Sequence, residues 1–100
     1  MTRQEFHEAL ESGAQDAPAE LTPEQQVLFY TEAGQWDRAH DIASEIPGQN
    51  GAWLHAHLHR IEGDLGNAAY WYDRAGRATP PASLSLQSER QNLIAHFITE

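Results

Sequence analysis

The chain contains no cysteine and no lysine. Without cysteine there are no disulfides, no thiolate metal ligands and no thiol nucleophile. Without lysine there is no Schiff-base chemistry, and no Walker-type phosphate loop, which sets a lysine on the nucleotide phosphates. No run comes near the ~20 apolar residues of a membrane-crossing helix, so no membrane partner is expected. The chain opens Met1-Thr2-Arg3-Gln4-Glu5-Phe6 with no apolar stretch after Arg3, which speaks against a secretory leader. With the missing cysteines, this predicts a cytoplasmic protein. β-Branched residues are few and never alternate with polar ones, so no strand is expected.

Positive charge is scarce too. Six arginines face fifteen carboxylates, for a formal net charge of −9. Residues 1–50 carry ten acids against Arg3 and Arg38, whereas residues 51–100 carry five acids against four arginines. Such a field repels phosphate backbones, so no nucleic-acid partner is expected. Hydrophobic residues make up 40% of the chain, too many for a disordered acidic tail. At 100 residues the chain can hold one modest core, and a single helical domain over 1–100 is expected.

What is present reads as helix. Thr2 and Glu5 have capping-box spacing, Phe6, Ala9 and Leu10 share a face, and Gly13 ends the run, which predicts a helix over 2–12. Residues 14–22 read as a linker. Thr22-Pro23-Glu24-Gln25 starts a second helix, with a cap, a tolerated proline and a second capping box; Gly34 stops it. Trp36, Ala39, Ala43 and Ile46 predict a third helix from 36 to 45, closed by Pro47 and by a turn through Asn50-Gly51. A fourth is expected over 52–62 with Leu54, Leu58, Ile61 and Leu65 as its stripe. A fifth is expected from 66 or 67 to 77, with Ala68, Ala69, Tyr72 and Ala75 inward. A sixth is expected from Ser83 to the end, with Leu86, Leu93, Ile94, Phe97 and Ile98 as its apolar side. Six short helices with short connections make an all-α fold.

Two stretches repeat. Glu32-Ala33-Gly34-Gln35-Trp36-Asp37-Arg38-Ala39 and Ile61-Glu62-Gly63-Asp64-Leu65-Gly66-Asn67-Ala68 each place a glycine five residues before an alanine. The glycine permits a sharp turn and the alanine a close helix approach. Gly63, Ala68, Tyr72, Ala75 and Pro80 follow in order and spacing the second half of a tetratricopeptide repeat, which this stretch resembles. Ala56 keeps that register, Trp53 falls one place late, and His59 stands where the family has tyrosine. In the first copy Tyr30, Gly34 and Ala39 match, Ala43 replaces an aromatic, and the closing turn is short. The chain from Trp53 to Gly76 is also similar to small, uncharacterised bacterial proteins of about this length. The resemblance implies short antiparallel helix pairs stacked as a right-handed array over 23–82. The helices of 1–13 and 83–100 would cap it, and the function implied is protein binding.

Candidate site residues follow. His55 and His59 are four apart on one helix, Glu62 is three further on, and His40 can come from the neighbouring helix. That set suits a zinc or iron ion. It lacks the His-Glu-x-x-His order of a metalloprotease and the paired Glu-x-x-His of a di-iron bundle. On a purely structural reading His59 is a half-buried filler, and His55 and His57 sit at the surface. The aromatics Trp36, Trp53, Tyr70 and Trp71, with Arg74, are candidate anchors for a protein partner. Arg60, Arg74 and Arg77 mark the only stretch where a grip on a small anion is plausible, without a glycine-rich cradle. No serine sits in an elbow motif, and no enzyme motif is found. The leading expectation is thus a non-catalytic scaffold that binds a protein or a second copy of itself as a homodimer, with no cofactor. The alternative is a metal-dependent or histidine-based small-molecule site at His40, His55 and His59.

Overall fold

A computed structural model describes residues 1–98. It contains six helices: α1 (Arg3–Glu11), α2 (Pro23–Glu32), α3 (Trp36–Glu45), α4 (Gly48–Ile61), α5 (Leu65–Arg74) and α6 (Leu86–Phe97). No strand occurs among the described residues, so the chain is all-α. No helix among them is long and apolar enough to cross a membrane. The expected run of the last helix to the end of the chain falls partly on residues 99 and 100, outside the described residues.

Local chemistry sets most helix starts. Thr2 and Glu5 form a reciprocal capping box at α1, and Thr22 and Gln25 form another at α2, where Pro23 occupies the first turn. Asp64 caps α5 through the Asn67 amide, and Ser85 caps α6 through the Ser88 amide. The cap at Ser85 explains why α6 begins at Leu86 rather than Ser83. Helix stops are equally local. Gly34 and Gly63 both adopt positive φ, and the amide after each reaches back across the turn, Gln35 to the Tyr30 carbonyl at 2.8 Å and Asp64 to the His59 carbonyl at 3.0 Å. Gly76 closes α5 in the same manner, so that helix ends before the expected Arg77.

The expected start of α4 at Ala52 is wrong. The helix begins at Gly48, and Gly51 lies buried within it instead of completing a turn. The cause is a close backbone contact across the turn. The Ile46 carbonyl packs so tightly on Gly51 that a Cβ there would fall 1.9 Å from its oxygen. Leu65, expected on the apolar stripe of the fourth helix, instead opens α5 on the outside of the turn and is 65% exposed. Ala69 is exposed as well.

Helix α4 is the centre of the molecule. It packs against α2, α3, α5 and α6, while α1 rests on α2. The main core gathers Phe6, Val27, Leu28, Phe29, Leu54, Leu58, Leu93, Ile94 and Ile98, all essentially fully buried. Each such side chain contributes about 1.5–3 kcal/mol relative to exposure. Between α4 and α5 the contact is made by small residues, Ala56 and Ala68, with Tyr72 beside them. Alanine brings these two backbones close, and the side chains one turn away on α4 are therefore pressed against α5. The 14–22 linker is tied down: Leu21 is buried, and the Ala17 amide donates to the Tyr30 hydroxyl at 2.9 Å.

Candidate metal centre

Because neighbours surround α4, its histidines are buried. His55, His57 and His59 are 8%, 1% and 7% exposed. The structural expectation that His55 and His57 lie at the surface is therefore corrected: the helix has no solvent face at these positions.

His55 and His59 sit one turn apart and their rings stack at 4.8 Å. From α3, His40 meets both edge-on, 4.5 Å from His55 and 5.3 Å from His59 between ring centres. Each of the three offers a nitrogen within 4.8 Å of the others. Two tryptophans wall the group. Trp36 stacks on His40 at 4.8 Å and is fixed by its own indole N–H, which donates to the Leu58 carbonyl at 2.8 Å. Trp71 stacks on His55 at 4.1 Å.

The electrostatics favour a neutral ring at His55. Burial, followed by the adjacent His40 and His59 rings, pulls the His55 pKa down to about 4. At neutral pH the His55 ring therefore carries a proton on one nitrogen only, and the other keeps a lone pair that a metal can take. Neither the His40 nor the His55 ring makes a hydrogen bond to another described residue, so both keep their nitrogens available. His59 is held differently. Its Nδ1 lies 2.6 Å from Glu62 Oε1, so Nδ1–H donates to the carboxylate and Nε2 is left with its lone pair. A carboxylate behind a ligating histidine is the usual device for orienting such a ring. The Asn67 amide lies 3.4 Å from the same Nε2. Glu62 thus takes a place behind His59, while a second, more open group joins His59, Glu62 and Asp64.

These clusters overturn the expectation that the chain needs no cofactor. A buried trio of histidine nitrogens and an adjacent His59/Glu62/Asp64 group are both able to chelate an ion. A tetrahedral site with metal–nitrogen bonds of about 2.05 Å sets its ligand atoms about 3.3 Å apart. The three histidine nitrogens lie within 4.8 Å of one another, so a bound ion would draw them closer together. Beside His55 a cleft of about 420 Å³ opens between α3, the start of α4 and α5.

The candidate protein anchors lie as follows. Trp36 and Trp71 are half-buried walls of the histidine cluster. Trp53 is half-buried against Phe97 and His96, with the Arg77 guanidinium 3.3 Å over its ring. Tyr70 is 54% exposed, and Arg74, also exposed, donates to its hydroxyl at 3.2 Å.

Sequence reasoning missed a second polar centre. Glu89 of α6 is 4% exposed and accepts from three donors: His57 Nδ1 at 2.6 Å, Arg60 at 3.0 Å and the Tyr72 hydroxyl. Arg90 donates to His57 Nε2 at 3.2 Å, which fixes the His57 proton on Nδ1. Burial by itself raises the Glu89 pKa, but donation from His57, Tyr72 and Arg60 outweighs it and holds the carboxyl below its ordinary value. Tyr72 is driven well above the usual phenol range, first by burial and then by the carboxylate. With every buried polar side-chain atom paired, this centre clamps α6 onto α4 and α5. The available signal was Glu89 itself, three after Leu86 and four before Leu93, on the apolar stripe of its helix.

Comparison of the chain with protein-family models, with curated proteins and with solved structures found no match.

Proposed function

We propose that the chain binds a divalent transition metal through His40, His55 and His59 and uses it to hold a small molecule in the adjoining cleft. The observation that carries this reading is the convergence of three buried histidine nitrogens within 4.8 Å of one another. The Glu62 carboxylate behind His59 supports it further. Three imidazoles with a fourth position open to a ligand suit zinc. Iron of the two-histidine, one-carboxylate type fits less well, because Glu62 is engaged with His59 Nδ1. A zinc ion there would supply Lewis acidity toward an oxygen of the bound molecule.

The scaffold carrying the site is read as two tetratricopeptide-like helix pairs, α2–α3 and α4–α5. The support is the matching turn geometry at Gly34 and Gly63 and the buried alanines Ala39 and Ala68. A protein-binding surface draws less support. Trp36, Trp53 and Trp71 are engaged in contacts within the chain, which leaves Tyr70 and Arg74. The test is the metal content of purified, untagged protein by elemental mass spectrometry. Wild type is expected to carry zinc in stoichiometric amount. His59→Ala is expected to lose it while keeping its far-ultraviolet circular dichroism. Wild-type protein that stays metal-free after incubation with excess zinc sinks the reading.

A further inference from the structure

The cleft beside the histidines has a composition at odds with the chain around it. The molecule carries fifteen carboxylates against six arginines, yet no acidic residue lines this cleft and one arginine, Arg74, does. Arg74 has no carboxylate partner among the described residues. It contacts Tyr70 through the hydroxyl and lies 5.4 Å over the Trp71 ring. By contrast, Arg38, Arg60 and Arg90 are each paired with a carboxylate. A guanidinium has five N–H donors, and its single bond to Tyr70 leaves the fork open.

Across the cleft from this helix end, the start of α4 supplies a second source of positive potential. Gly48 and Gln49 belong to the lining. The first amides of a helix lack intrahelical acceptors and carry the positive end of its dipole. At α4 no side chain caps them, because Pro47 stands at the cap position. The start of α3 is likewise uncapped, whereas those of α1, α2, α5 and α6 are capped by a side chain. Gly48 at φ +77° carries no Cβ to obstruct an approach.

The independent pointer to a ligand is His55. It is more than nine-tenths buried, makes no hydrogen bond, and lines this cleft. Among the described residues no buried side-chain nitrogen or oxygen lacks a partner, so the unbonded His55 nitrogens stay open to solvent and free to meet a group bound beside them. Trp71, stacked on the same ring, also lines the cleft. At about 420 Å³ the volume lies toward the small end of ordinary ligand pockets.

We infer that this cleft binds a small ligand through an oxyanion group, carboxylate or phosphate, held between the Arg74 guanidinium and the uncapped start of α4. The ligand's remaining part lies along Trp71 toward His55. This deepens the metal reading, since a second donor on the ligand would then reach the ion, but the oxyanion grip itself needs no metal.

The test is nuclear magnetic resonance titration of metal-free protein with sodium phosphate and, separately, with sodium acetate at constant ionic strength. The backbone amides of Gly48 and Gln49, the Trp71 indole and the Arg74 Nε–H are followed. Saturable shifts at these groups are expected for at least one anion; stronger binding of phosphate or of acetate tells which oxyanion the site prefers. Arg74→Gln is expected to weaken binding at least tenfold, with Arg74→Lys recovering part of it. Arg74 is exposed, so both arginine variants are expected to fold. Absence of saturable shifts with both anions overturns the inference, as does equal binding by Arg74→Gln. Anion binding without zinc binding would keep this inference and refute the metal reading; zinc binding with no anion response would do the reverse.

Discussion

Replacing Glu89 by alanine should be among the most damaging single changes in the molecule. The carboxylate is 4% exposed and accepts hydrogen bonds from His57, Arg60 and Tyr72. Its removal leaves two neutral donors without an acceptor and a largely buried guanidinium without its counter-charge. Breaking a buried pair by deleting one partner costs about 3–5 kcal/mol. The stranded His57 N–H and Tyr72 O–H place the loss in the upper part of that range, about 4 kcal/mol. Against a typical domain stability of about 5–15 kcal/mol, most of the margin can disappear. For a chain of this size the midpoint of thermal unfolding should fall by roughly 15–30 °C. The assay is urea unfolding followed by circular dichroism and by tryptophan fluorescence, with the slope expected to stay constant. A quadruple variant, Glu89→Leu with His57→Leu, Arg60→Met and Tyr72→Phe, should recover more than half of the loss, because the orphaned donors and the stranded charge are removed together. A loss below about 1 kcal/mol for Glu89→Ala would refute the view that this centre clamps α6 onto α4 and α5.

Other perturbations test separate parts of the structure. Acid should destabilise the metal-free protein in two stages. His55 has a folded pKa of about 4 against about 6.5 when unfolded, so the unfolded state takes up its proton first and stability falls as pH drops from about 6.5 to about 4. The full shift corresponds to about 3 kcal/mol, which water at the cleft reduces to about 1–2 kcal/mol. Glu89, held below its ordinary value, contributes stability above the unfolded carboxylate pKa that is lost as pH falls through its folded value. Urea titrations across this range should show both stages, and His55→Phe should remove only the first. Gly51→Ala should cost about 2 kcal/mol or more, since its Cβ would meet the Ile46 carbonyl, a backbone atom, at 1.9 Å; an unchanged thermal midpoint would contradict that packing. Glu62→Gln should weaken zinc about 10- to 100-fold while leaving the fold intact, as removal of a carboxylate behind a ligating histidine does; equal affinity by calorimetry would place Glu62 outside the site.

What was legible in the sequence was what local chemistry decides. Capping boxes at Thr2 and Thr22 and glycine stops at Gly34 and Gly63 act within a few residues, so they locate helices without tertiary information. The start of α4 was not legible, because Asn50-Gly51 has the composition of a turn, and the backbone geometry that sets the Ile46 carbonyl on Gly51 leaves no residue pattern. The histidine cluster was half legible. The four-residue spacing put His55 and His59 on one face, but their burial comes from the four helices packed around α4, which no single helix pattern encodes. Glu62 was grouped with the ligands, because spacing cannot say which side of His59 a carboxylate occupies. His57 and Glu89 belong to helices 32 residues apart in sequence, and their pairing becomes visible only once α6 is docked. The expectation of no cofactor failed for the same reason: it weighed the absence of a motif within one helix, whereas His40 approaches from another.

The most direct test of the account is cobalt(II) substitution with absorption spectroscopy, applied to wild type and to His40→Ala, His55→Ala and His59→Ala. Imidazole-rich tetrahedral cobalt gives intense visible bands that a hydrated ion does not. The account predicts such bands with wild type, saturating at one ion per chain and bleached by zinc, and their loss in each variant while circular dichroism stays native. Wild-type protein without these bands, or variants that retain them in full, would contradict a three-histidine centre.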